Sequence, residues 1–237
     1  MRILLLLLLM TVPTWAFTPE ERQEIVGIVR DTLRTDPGLL RDALRALDVD
    51  DARQQAAATT NALAIIGARL IDPLDPVAGN PLGDVTIVNF YDTRCPYCRQ
   101  MMPIEADLLR QDPGLRFVNK DLPVLGATSQ LEARALLAAQ RQGGYFKLQG
   151  VIMRQATPST RDTLRAEADR LGLDGGRLLR DIDDPAIKAR IAATIDMANQ
   201  LSIQGTPALV VGDRLLSGAQ TLAELQSAVA AVRSARK

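Results

Sequence analysis

The chain has 237 residues, 47% of them hydrophobic and 24% charged, with 28 basic side chains against 28 acidic ones. That composition fits one globular domain with an appendage, not a disordered chain, and its charge balance offers no basic patch for nucleic acid or anionic lipid. There is no histidine, which excludes Ser-His and Cys-His catalysis and the usual imidazole metal sites.

Residues 1–16, MRILLLLLLMTVPTWA, place one positive charge before an apolar run from Ile3 to Val12 and end on the small residue Ala16. This is the pattern of an export signal, expected to be cleaved after Ala16; the run is about half of the roughly 20 apolar residues that a membrane span needs. Thr18-Pro19-Glu20-Glu21 is a capping box that starts a helix, and Ile25, Ile28, Val29 and Leu33 mark its apolar stripe. Asp36-Pro37 predicts a second short helix carrying Leu40, Ala43, Leu44 and Leu47. Asp50 is expected to cap a third, reaching about Leu70 with Ala56, Leu63, Ile66 and Leu70 on one side. From Asp72 to Asp84 the text DPLDPVAGNPLGD holds three prolines and two glycines and reads as a linker. Residues 17–71 thus form a helical arm whose narrow stripes need cover, either from the domain that follows in the same chain or from the arms of neighbouring subunits. The expectation is a homo-oligomer formed through residues 18–70.

After the linker, the domain from 85 to 237 opens with Val85-Thr86-Ile87-Val88-Asn89-Phe90-Tyr91, a β-branched and aromatic run of strand length. Pro96 suits the first position of a helix running to about Gln111, ended by Asp112-Pro113-Gly114, and a second strand is predicted over Leu115 to Lys120. Ser129-x-x-Glu132 reads as a second capping box and Gly143-Gly144 as the stop of that helix. Helical pieces follow at Phe146–Arg154, Arg161–Leu171, Gly176–Asp181 and Pro185–Leu201. Two short strands, Ala208–Val211 and Arg214–Ser217, turn through Gly212-Asp213, and Thr221-x-x-Glu224 caps a closing helix.

Only two cysteines are present, Cys95 and Cys98. A disulfide closing so short a loop removes little unfolded-state entropy, so reactivity explains the pair better than architecture. At a helix start the first sulfur sits over unpaired N–H groups and the positive end of the helix dipole, which favour its thiolate. Cys95 is therefore expected to be the exposed nucleophile and Cys98 the resolving thiol one turn in, exchanging disulfides through a mixed disulfide. A zinc site needs about four ligands and the chain offers no further Cys or His, which leaves only a site shared between subunits or monovalent copper on the two thiolates; no metal and no cofactor is expected. The alternative is a copper-handling or chaperone module that uses the two thiolates as ligands.

The residues Val88-Asn89-Phe90-Tyr91-Asp92-x-x-Cys95-Pro96-Tyr97-Cys98, then Lys120-Asp121-Leu122-Pro123-Val124-Leu125-Gly126, then Gly205-Thr206-Pro207-Ala208, resemble in order and spacing the DsbA family of the thioredoxin superfamily. The helical arm and the Pro96-Tyr97 dipeptide make the chain similar to the ScsC-type branch. The resemblance implies an α/β thioredoxin-like fold with a helical insertion over about 128–201. It implies a cis Pro207 facing the active-site pair, and Thr206 lending backbone groups to an extended substrate. It further implies a periplasmic protein disulfide oxidoreductase or isomerase acting on unfolded or misoxidised exported proteins, with a membrane redox partner that resets the pair. The sequence departs from the family twice. Asn89 stands where a buried carboxylate is common, so that either water or Asp92 substitutes in handling the proton there, or the step is slower. Tyr97 stands where strongly oxidising members have His, which predicts a milder oxidant.

Overall fold

The computed structural model describes residues 17–235. The expected export signal lies outside the described residues. Two compact units meet within the sequence at Gln54 and Gln55.

In the first unit, Thr18 caps helix α1 (Pro19–Thr35): its hydroxyl accepts from the Glu21 amide at 3.2 Å while the Glu21 carboxylate accepts from the Thr18 amide at 2.8 Å. The sequence predicted this box because a capping box is wholly local. Instead of the two helices expected, one continuous helix α2 runs from Pro37 to Ile66, followed by a short 3-10 turn from Gly67 to Leu70. Asp50 caps nothing: its carboxylate accepts from the Gln54 side-chain amide at 2.7 Å inside the helix. No proline or glycine separates Leu39 from Ile66, and a cap-type residue alone does not break a helix that lacks a breaker. The apolar residues of this unit, including Ile25, Ile28, Val29, Leu33, Leu40, Leu44 and Leu47, are exposed.

The second unit is built on a five-stranded sheet in the order β1-β3-β2-β4-β5. The strands are β1 (Val77–Gly79), β2 (Val85–Tyr91), β3 (Leu115–Asp121), β4 (Ala208–Val211) and β5 (Arg214–Ser217). Strands β2 and β3 run parallel, joined by helix α3 (Pro96–Gln111), and the other pairings are antiparallel. Strand β1 lies inside the segment read as a linker. Three residues are too short for an alternating pattern to register, and the Pro and Gly around them dominate the local signal. The segment is anchored further by Asp75, a buried residue whose carboxylate meets the Lys120 ammonium at 2.5 Å. Gly212 carries the β4–β5 turn with φ of 65°, a left-handed conformation that glycine adopts without a Cβ penalty.

On one face of the sheet, Met101 and Leu108 of α3 and Leu225 and Val229 of α9 (Leu222–Ala235) pack on Ile87, Phe117, Leu209 and Val211. The other face is covered by Leu63 and Ile66 of α2 and by Ala198 and Leu201, packed on Val88, Phe90, Val118 and Val210. Five helices lie between β3 and β4: α4 (Ala127–Gln140), α5 (Tyr145–Ile152), α6 (Arg161–Arg170), α7 (Gly175–Asp181) and α8 (Pro185–Gln200). They build a third apolar cluster around Leu136, Leu148, Leu164, Leu178 and Ile182 that also takes in Tyr91, Cys95 and Cys98.

The second capping box is also corrected. Gly126 is the N-cap of α4, with no side-chain cap bond, and Ser129 and Glu132 lie buried within the helix. Here tertiary demand for a buried carboxylate outweighs the local motif, since Glu132 is spent on partners outside its own helix.

The C-terminal turn of α2 is part of the core, so neighbouring isoleucines should differ sharply. Ile66→Ala, at a side chain only 3% exposed, is expected to lower the urea unfolding free energy by about 2–5 kcal/mol. Ile65→Ala, at one that is 76% exposed, should stay within about 0.5 kcal/mol of the parent. Equal losses at both would contradict the packing described.

Candidate active site

The site starts from the end of β2. As the strand stops at Tyr91, the next residue, Asp92, turns the chain: its carboxylate accepts from the Arg94 amide at 2.8 Å, and from the Val124 and Leu125 amides at 2.9 and 3.0 Å. Its carbonyl accepts from the Cys95 amide at 3.1 Å. One buried carboxylate therefore holds the loop before Cys95 against the loop after β3. Cys95 is the N-cap of α3, in extended conformation, with Pro96 as the first helical residue. Cys98 follows within the first turn.

Across the site, the Cys95 thiol donates to the Thr206 carbonyl at 3.1 Å, and the Thr206–Pro207 peptide is cis. The structure thus brings Cys95, Cys98, Thr206 and Pro207 together from chain positions more than a hundred residues apart, with Pro96 and Tyr97 exposed on the rim. Both cysteines are free thiols. One expectation is corrected: Cys95 is not exposed. It is 5% accessible and Cys98 2%, because the Thr206–Pro207 segment and the insertion close over the helix start. Burial pushes the Cys98 thiol well up, and the neighbouring Cys95 adds to the rise. That thiol must shed a proton before it can resolve a mixed disulfide.

The position of Asn89 now gains a physical setting. Its amide donates to the Glu105 carboxylate on α3 at 3.1 Å and lies 3.4 Å from the Asn119 side-chain oxygen. Burial raises the Glu105 carboxyl to about 7. Asp92, one of the two substitutes expected from the sequence, has its oxygens committed to three main-chain amides. Sequence reasoning passed over Glu105. The signal available was its spacing: Glu105 is seven residues beyond Cys98 on the same helix, and so on the same face.

Two further carboxylates were missed. Asp121 at the end of β3 accepts from the Tyr91 and Tyr145 hydroxyls, each at 3.0 Å to the same oxygen, and the two hydroxyls lie 2.7 Å apart. Burial is the main cause that lifts Asp121 to about 7, against the tyrosine hydrogen bonds, which oppose it. Glu132 accepts from the Thr93 hydroxyl at 2.6 Å and from the Ser159 hydroxyl at 2.7 Å, tying the active-site loop to the insertion. Among the described residues no group of three or more His, Cys, Asp or Glu side chains is arranged to hold a metal ion.

Residues 86–230 match the family described as DSBA-like thioredoxin domain. A thioredoxin-like oxidoreductase from Silicibacter pomeroyi DSS-3 is 39% identical, covering 70% of this chain and 95% of that one with a TM-score of 0.67. The ScsC of Proteus mirabilis in a transitional conformation is 25% identical, covering 90% of this chain and 97% of that one with a TM-score of 0.65. Among curated proteins, the Na(+)/H(+) antiporter NhaA 3 of Salinispora tropica is 32% identical over 76% of this chain, and the chain spans only 29% of its length.

The two raised carboxyls give the stability a pH dependence of definite sign. An unfolded glutamate ionises near 4.5, whereas folded Glu105 keeps its proton to about 7. Its contribution is complete below 4.5 and is lost as pH rises through 7. The unfolding free energy of the parent should therefore fall, relative to Glu105→Gln, between pH 4.5 and 8, as urea titrations at several pH values would measure. Parallel pH profiles would refute the burial of this acid.

Proposed function

We propose that this chain, which belongs to the family of DSBA-like thioredoxin domains, is a thiol-disulfide oxidoreductase of the ScsC-like branch that exchanges disulfides with exported proteins through Cys95-Pro96-Tyr97-Cys98. The observation that carries this reading is the Cys95 thiol at the N-cap of α3, 3.1 Å from the Thr206 carbonyl beside a cis proline. That arrangement leaves one backbone edge, at Thr206, beside the reactive sulfur. An extended client segment can pair there while its own sulfur approaches Cys95.

The steps follow from the groups present. In the oxidising direction a client thiolate attacks Cys95 of the Cys95–Cys98 disulfide, and Cys98 leaves as the thiolate. A second client thiolate then attacks the client sulfur of the mixed disulfide and Cys95 leaves, so that the client loses two electrons and the protein gains them. The Cys98 thiolate takes up a proton as it is released. Glu105, which Asn89 holds by a hydrogen bond on the face of α3 that carries Cys98, is the acid that this reading assigns to that transfer, since its carboxyl is poised near neutrality and Asp92 is engaged. Pro96 and Tyr97 set the environment of the pair, and the absence of an imidazole between the cysteines favours a milder oxidant.

The leader-like residues 1–16 support a periplasmic location, where unfolded or misoxidised proteins would be the clients and a membrane redox partner would reset the pair. The exposed stripe of Ile25, Ile28, Val29 and Leu33 supports assembly through the arm. Several reactive pairs facing one client would suit isomerisation of wrong disulfides.

Cys95→Ser is expected to abolish reduction of insulin driven by dithiothreitol, and Cys98→Ser to accumulate mixed disulfides visible on a non-reducing gel. Unchanged turnover in both variants would end the assignment. For the arm, Ile28→Asp with Leu44→Asp should convert an oligomer to a monomer by light scattering, removing isomerase activity while sparing oxidation of small thiols. A monomeric parent protein would dispose of the assembly.

A further inference from the structure

Arg99 begins where the site described above ends. It stands one turn beyond Cys95 on α3, its amide donating to the Cys95 carbonyl at 3.2 Å. Residues four apart on a helix are neighbours on one face. Its Nε donates to the Thr93 carbonyl at 3.1 Å, so the side chain folds back over the loop that precedes the nucleophile instead of extending into solvent. One terminal nitrogen, Nη2, is buried and has no hydrogen-bond partner. A buried donor without an acceptor costs free energy, and a guanidinium cannot shed its proton to escape that cost.

The charges around it define what that donor can serve. Burial and the like charge of Arg94 act against the Arg99 cation, while Glu132 of α4, Asp92 and the Cys95 sulfur favour it. The other partners are taken. Asp92 is bonded to three amides, Glu132 to the Thr93 and Ser159 hydroxyls, and Arg94 to the carbonyls of Gln155, Ala156 and Thr157. Of the two guanidinium groups that flank the nucleophile, Arg99 is the one with a buried nitrogen held unpaired.

We propose that Arg99 is the positioning residue that sets the charge on the Cys95 sulfur. When the mixed disulfide breaks, the electron pair of the sulfur–sulfur bond passes to Cys95, and the guanidinium favours that anion. The reduced protein is thereby favoured over the disulfide, and the pair is a stronger oxidant than its Pro-Tyr dipeptide alone would make it. This rests on Cys95 as the nucleophile.

The test equilibrates the full chain with reduced and oxidised glutathione and measures the fraction of protein disulfide. Arg99→Met keeps the apolar stem and removes every donor, Arg99→Gln keeps a donor without charge, and Arg99→Lys keeps the charge. Arg165→Gln, at an exposed residue of α6, is the control. Met and Gln are each expected to shift the equilibrium about tenfold toward the protein disulfide, a potential ~30 mV lower. Lys should shift it less than half as far on a logarithmic scale, and the control not at all. A parental equilibrium in Arg99→Met, or a shift in Arg99→Lys as large as that of the neutral variants, would overturn the proposal; should Arg99→Gln fail to fold, Met and Lys still decide it. Insulin turnover surviving in Cys95→Ser would instead remove the underlying role of Cys95, so the two failures are distinguishable.

Discussion

Asp92 takes no direct part in the proposed sulfur chemistry, yet the geometry of the site depends on it. A carboxylate at 1% exposure is costly unless its oxygens are satisfied, and here main-chain amides from two separate loops satisfy them. The arrangement works in both directions. The amides of Arg94 and Leu125 would otherwise be orphaned donors at the ends of loops, and the carboxylate is their common acceptor, shared with the Val124 amide. With residues 92–95 and 123–125 pinned to one group, the direction in which the chain enters α3 is fixed. Cys95 then falls at the N-cap, and its sulfur meets the Thr206 carbonyl.

What the sequence makes legible is local. Strand β2 has the bounds that its β-branched run predicts, β4 and β5 have theirs, and the boxes at Thr18 and Thr221 close with the expected bonds. Each of these rests on residues within a few positions of one another. The misreadings arise where a distant partner decides. Ser129 and Glu132 have the spacing of a cap, but Glu132 is claimed by Thr93, 39 residues away, and Ser159. Val77–Gly79 becomes a strand only because β3 offers it an edge. Cys95 is buried by a segment 111 residues further on, a closure that no helical wheel can display.

The polar residues beneath the cysteines show the same limit in another form. Asn89 pairs in register with Asn119, and two positions later Tyr91 pairs with Asp121 on the parallel neighbour. Residues two apart on a strand share a face, so these four side chains form a polar stripe on the side of the sheet that carries α3. In one dimension they are scattered among valines and phenylalanines, and nothing local shows that they share a face. The register also explains why an amide stands at 89. With Glu105 already within hydrogen-bond reach, a carboxylate there would place two acids on one buried site, and one of them would be forced to hold a proton. An amide donates to the carboxylate without adding charge.

Burial of the reactive sulfur and its proposed reactivity need not conflict, because reach selects the partner. Cys95 is recessed, while Tyr97 is 59% exposed, Val124 51% and Leu125 53%. The last two are bonded through their amides to the same Asp92 whose carbonyl holds the Cys95 amide. A folded protein presents its own sulfurs on convex or rigid surfaces that such a recess excludes. An extended, partly unfolded segment can lower a cysteine past the apolar rim and cover exposed Tyr97, Val124 and Leu125 with its neighbouring side chains. Under the proposed function, the apolar area removed from water would favour binding of unfolded over folded clients. On the proposed function, the same recess that buries the thiol in the isolated chain would supply a basis for choosing among its partners.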